Sequence, residues 1–203
     1  MHFPRFMYPF LVYRSIAVPF LLVSAIAVPC WLVFRAARLR RLGQRPSFGR
    51  EIVLLIFVVY LSGLAAATLE PNRPSRSVAE SMMGVELGPR VASLTCSSAT
   101  LYTGSTARSF CVRNLAGNVA LFVPLGVLLL LVWPRLRVWR GLLVALGASV
   151  GIELLQYVSR AVGSYRSVDV NDVILNVVGA SIGLALVSLL RVTHGAIEGA
   201  RRR

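Results

Sequence analysis

A chain of 203 residues that is 56% hydrophobic, with a mean hydropathy of +0.71, is too apolar for an ordinary soluble domain. Its net charge of +14 comes from 22 arginines and no lysine. These arginines flank the apolar blocks, an arrangement the positive-inside rule explains, so nucleic acid is not an expected partner.

A membrane-spanning helix needs about 20 apolar residues to cross ~30 Å of hydrocarbon. The first block that qualifies is Arg14–Phe34. It lacks a small-residue cleavage pattern and runs at once into Arg35, Arg38, Arg40 and Arg41, so it reads as an uncleaved anchor and not a signal peptide. Val28-Pro29-Cys30 is a poor lipobox because proline stands where a small residue is wanted, and Cys30 reads as an apolar residue facing lipid or core. Residues 1–51 therefore form an anchor span with an Arg-rich connection. Ile52–Leu69 is the second block.

The segment 70–113 is too long for a simple turn and carries Pro71, Pro74, Gly84, Gly88, Pro89 and Gly104. A short helix or a lid is expected there. Cys96 and Cys111 both lie in it and are either a disulfide or two separate thiols.

The last three blocks, Leu115–Trp133, Gly141–Val158 and Val170–Leu190, each carry polar residues at helical spacing. The third opens with Asn114 and Asn118, one turn apart, and Pro124 should kink it two turns on. The fourth carries Glu153, Gln156 and Arg160 on one face. A charge near the bilayer centre costs roughly 2.5–3.5 kcal/mol, so Glu153 needs a partner on a neighbouring helix, or a proton. On the fifth, Asp169, Asp172, Asn176, Gly179 and Gly183 are spaced 3, 4, 3 and 4, which places them in one stripe. Asp169 or Asp172 could simply cap the helix. Gly179-x-x-x-Gly183 would let another helix approach closely.

These blocks predict an all-α polytopic bundle of five spans. The membrane domain is 52–190, with an outer loop 70–113 and a basic cytoplasmic tail 191–203. If the spans alternate, the arginines of 35–50, those after Trp133, and those of the tail share one side, the cytoplasm, giving N-out and C-in. Trp133 and Trp139 bracket the inner boundary. All three polar clusters then end near the outer face.

His2 and His194 lie at the two ends, so no histidine metal site is visible. The carboxylates could hold a hard cation, but no spacing demands it, and no cofactor is expected. Ser15, Ser24, Ser149 and Ser181 have no adjacent base, which argues against a serine nucleophile.

The stretch Asn114-Leu-Ala-Gly-Asn118-Val-Ala-Leu-Phe122-Val-Pro124-Leu-Gly126 resembles the opening signature of the VanZ-like family. Glu153-Leu-Leu-Gln156-Tyr-Val-Ser-Arg160 and Asp169-Val-Asn-Asp172-Val-Ile-Leu-Asn176-Val-Val-Gly179-Ala-Ser-Ile-Gly183 are similar to its continuation, in order and spacing. The resemblance covers roughly residues 52–190. It implies an integral membrane protein of bacteria, in the plasma membrane, and all-arginine usage also points to a bacterial, GC-rich genome. The family's namesake is linked to low-level resistance to the glycopeptide teicoplanin. The resemblance supplies no reaction.

Three functional readings follow. In the first, Asn114, Asn118, Glu153, Gln156, Arg160, Asp169, Asp172 and Asn176 form an outer-leaflet pocket for membrane lipids, a lipid-linked cell-wall precursor or a glycopeptide. In the second, Glu153 or Asp172 serves as the general base or a cation ligand of a membrane enzyme on a lipid-linked substrate. In the third, the polar groups only fix helix register in a structural or partner-binding subunit. Transport is less expected of five short spans.

Overall fold

The structure is a computed structural model that describes residues 8–69, 85–86, 88, 105–159 and 168–201. The chain divides into two compact units, Met1–Asn72 and Arg73–Arg203.

The first unit is a helical hairpin of α1 (Tyr8–Leu42) and α2 (Phe48–Leu69). α1 continues past the apolar block through its arginines, because nothing there breaks a helix until Gly43. Gly43 adopts φ 58°, and Gly43 N–H and Gln44 N–H donate to the carbonyls of Arg40 and Leu39. That left-handed cap satisfies carbonyls that would otherwise be orphaned and reverses the chain. Ser47 precedes α2, and its carbonyl accepts the N–H of Glu51. Arg35 and Glu51 then join the two helices: Nε donates to Oε2 at 2.9 Å and Nη2 to Oε1 at 2.7 Å. Further along, Phe20 lies against Gly63, where an added Cβ would meet its ring at 3.6 Å. Pro19 and Pro29 lie within α1 without ending it.

The second unit holds α3 (Ser105–Val132), α4 (Val138–Ser159) and α5 (Val170–Arg201), with α5 packed against both of the others. β1 (Val85–Glu86) pairs in parallel with β2 (Val168–Asp169), with Val85 opposite Val168 and Glu86 opposite Asp169. This short pairing, which no periodicity announced, fixes part of the loop beside the start of α5.

α3 and α5 meet backbone to backbone. A Cβ on Gly126 would run into the carbonyl oxygen of Ala180, one on Gly179 into that of Val119, and one on Gly183 into that of Val123. Small residues at a membrane helix contact permit this approach, and close packing is the main force between helices in lipid. α4 joins less intimately: Gly141 lies against Leu184, where a Cβ would meet Cδ2 at 2.8 Å. Phe122, Leu129, Leu130, Ala145, Ala180 and Leu184 are essentially inaccessible and form the core.

The helices outrun the apolar blocks. α3 begins at Ser105, so residues 105–113 are helical and not loop, and α5 carries on through the basic tail to Arg201. Both ends reflect the same cause: hydropathy marks the membrane thickness, whereas a helix continues until its sequence stops it. Among the described residues five helices are long and apolar enough to cross a membrane: Ile16–Leu42, Phe48–Thr68, Asn114–Val132, Val138–Ser159 and Val170–Gly195. Their outward faces are apolar too, with Leu143, Leu154, Leu155 and Val158 of α4 all more than half exposed. Water would not tolerate so large a patch on a monomer, but lipid tails match it.

Candidate functional site

The polar residues of the second unit meet near the start of α5 and the end of α4, against the middle of α3. Asp169 is the residue before α5, and its Oδ1 accepts the N–H of Asn171 at 2.8 Å. It is therefore the helix cap, the simpler of the two roles open to it. Asp172, three residues on, looks outward from α5 instead. Its Oδ1 accepts a hydrogen bond from Asn118 Nδ2 at 2.6 Å, joining α5 to α3.

Glu153 is 7% exposed on α4, and its Oε2 accepts the backbone N–H of Asp169 at 3.2 Å. The buried carboxylate thus has a donor supplied by the residue that leads into the neighbouring helix. Gln156, one turn on along α4, is buried as well. Glu153, Gln156, Asn171 and Asp172 each have a further interaction beyond these bonds.

About 6 Å deeper along both helices, one helical turn from Glu153 and from Asp172, lies a second rung. Asn176 Nδ2 donates to Ser149 Oγ at 2.9 Å, and both side chains are buried. Asn176 Oδ1 has no hydrogen-bond partner. Exchanging the two ends of the amide would only move the deficit to Nδ2. A buried polar atom without a partner costs about 1–3 kcal/mol. Beneath this rung Ala145, Ala180 and Leu184 are fully buried, and Gly179 and Gly183 close against α3. The polar ladder ends there, against small and apolar residues.

Several residues of the sequence pattern stand apart from this ladder. Asn114 is exposed on α3. Arg160 and Cys96 lie outside the described residues, as does most of segment 70–104. Cys111 is disulfide-bonded, while Cys30 is a free, exposed thiol. Asn171, Ser149 and Gly126 were not singled out by the spacing. Asn171 falls between two stripe positions, and Ser149 lies one turn before Glu153 on the same face, which was the available signal. Gly126 shares the Pro124 turn, and only its fit against Ala180 gives it meaning.

The chemistry on offer is acceptor-rich. Glu153, Asp169 and Asp172 supply carboxylate oxygens, while Asn118, Gln156 and Asn176 supply amides. No cluster of three or more His, Cys, Asp or Glu side chains suited to a metal occurs among the described residues. Ser149 is bonded to an amide and not to a base, so it is no activated nucleophile.

Five span-capable helices, a lipid-matched exterior and a polar ladder buried among three of them define a multi-pass helical membrane protein. The chain belongs to the VanZ/LLP1 family, whose family model matches residues 51–191 and so takes in the whole ladder. No curated protein and no solved structure matches the chain.

Proposed function

We propose that the ladder is a binding socket, open to the outer leaflet, for the polar part of a membrane-borne envelope component, and that it influences susceptibility to a glycopeptide such as teicoplanin. The ligand class is a lipid head group or a lipid-linked cell-wall precursor. The carboxylates and the amide oxygens take hydroxyl, amide or ammonium donors from it, and Arg160 meets its phosphate. The observation that carries this reading is Asn176 Oδ1, a buried acceptor left without a donor at the floor of an otherwise bonded ladder. The placement at the outer leaflet rests on the arginines at the opposite helix ends of the second unit, after Trp133 and from Arg191 onward. The plasma membrane is the compartment this implies for a bacterial chain.

A photo-crosslinking residue at position 156 or 118, offered a labelled lipid-linked precursor, tests the proposal. Labelling there should exceed labelling from lipid-facing controls at 186 or 189. Labelling confined to the controls would contradict a socket.

A second reading has an observation of its own. Asn118 with Asp172, Glu153 with Asp169 N–H, and Asn176 with Ser149 all bond between elements. Such bonds fix helix register, and a purely structural ladder would need no ligand.

A further inference from the structure

The opposite end of the second unit carries a positive charge that no described carboxylate neutralises. Arg135, Arg137 and Arg140 are all exposed around the α3–α4 turn, and among the described residues no carboxylate pairs with any of them. The sequence holds no acid between Arg113 and Glu153, nor between Asp172 and Glu198. Arg35 shows the contrast, since in the first unit it has its own glutamate.

The turn is also built rather than loose. Arg191, from α5, donates to the carbonyls of Leu130 at 2.6 Å and Pro134 at 3.0 Å, occupying acceptors at the end of α3. The Arg140 guanidinium stacks over Trp139 with 5.2 Å to the ring centroid. Trp133 and Trp139 are about half exposed, 49% and 52%, on either side of the arginines. Indoles of this kind settle at the head-group level, which puts the guanidinium groups at the depth of lipid phosphates.

Topology alone would be served by arginines anywhere on this side. A clamped turn with a stacked guanidinium, flanking indoles and no counter-charge among the described residues is a preorganised anion receptor, and the anion available at that depth is a lipid's. We propose that the α3–α4 turn binds the phosphodiester of an anionic phospholipid, with Arg137 and Arg140 as the principal contacts and Arg191 as the positioning residue that holds the turn. The site is separate from the ladder and does not depend on the function proposed for it.

Native mass spectrometry of the purified full chain, titrated with phosphatidylglycerol or with phosphatidylcholine of the same acyl chains, tests this. Phosphatidylglycerol should be retained preferentially. Arg137→Gln with Arg140→Gln should reduce that preference by about tenfold or more, since each surface arginine contributes roughly 1 kcal/mol to anionic lipid binding. Arg38→Gln with Arg41→Gln at the end of α1 should leave most of it. Equal retention of the two lipids by the wild type would overturn the proposal. So would a preference abolished equally by the α1 variant, or displacement of the lipid by inorganic phosphate alone.

Discussion

Asn118 on α3 and Asp172 on α5 are joined by a 2.6 Å hydrogen bond beside a backbone-to-backbone helix contact. The bond lies two turns before Gly179 on α5, whose missing side chain lets that helix reach Val119 next to Asn118. Packing and polar contact are therefore one arrangement: the glycines bring the backbones together, and the amide and carboxylate fix their register.

Losing that bond should cost about 1–2 kcal/mol, in the range found for polar contacts between membrane helices. Asn118→Leu should lower the thermal midpoint of the detergent-purified protein accordingly. Asp172→Asn should leave it nearly unchanged, because an asparagine oxygen still accepts. An Asp172→Asn variant as unstable as Asn118→Leu would show that the negative charge itself holds α5 in place.

The glycines divide into two groups by what surrounds them. Gly126→Ala, Gly179→Ala and Gly183→Ala each drive a methyl group into a backbone carbonyl, whereas Gly147→Ala and Gly151→Ala enter open space. Overpacking of this kind costs about 1–3 kcal/mol, and more where backbone must move. The first three variants should yield little monodisperse protein by size-exclusion chromatography, and the last two should behave as wild type. Equal behaviour of both groups would contradict the close α3–α5 contact.

In the first unit, Arg35 and Glu51 are partly buried, at 16% and 22% side-chain exposure, and bonded in a bidentate manner. Removal of either charge should weaken the α1–α2 hairpin. A double-mutant cycle with Arg35→Gln and Glu51→Gln should return a coupling of about 1 kcal/mol, at the upper end of the usual range for an exposed pair. A coupling indistinguishable from zero would mean that the turn at Gly43 and the apolar contacts hold the hairpin unaided.

Cysteine chemistry offers an independent check on topology. A non-reducing digest should yield a peptide joining Cys96 to Cys111, with Cys30 alone alkylated before reduction. Such a bond persists in an oxidising compartment, so it would also support an outer location for the loop. Two freely alkylated thiols at 96 and 111 would contradict both points.

Much of this arrangement is legible in the residues alone, and the exceptions share a cause. The five spans can be read because apolar blocks of membrane length are rare in chains that fold in water. The stripe from Asp169 to Gly183 can be read because one helix carries it, and a single helix has a known period. Which aspartate caps and which bonds outward cannot be read, because that depends on where Asn118 arrives from a different helix. Gly126 gains its role only from Ala180, 54 positions later. The helix ends at Ser105 and Arg201 escape a hydropathy reading because they lie beyond the apolar core. The β1–β2 pairing is two residues long, too short to have a period.

The measurement that bears most directly on the ladder as a working site is teicoplanin susceptibility in a strain lacking this protein. The strain is complemented with wild type, Glu153→Gln or Asp172→Asn, and membrane levels of each are checked. Both substitutions keep side-chain size and a hydrogen-bond acceptor while removing charge. If the ladder binds an envelope component, wild type restores the altered susceptibility and the equally abundant variants fall short by several-fold in inhibitory concentration. If both variants complement fully, or if the deletion changes nothing, the claim that these carboxylates act in glycopeptide susceptibility is contradicted, and helix register remains their role.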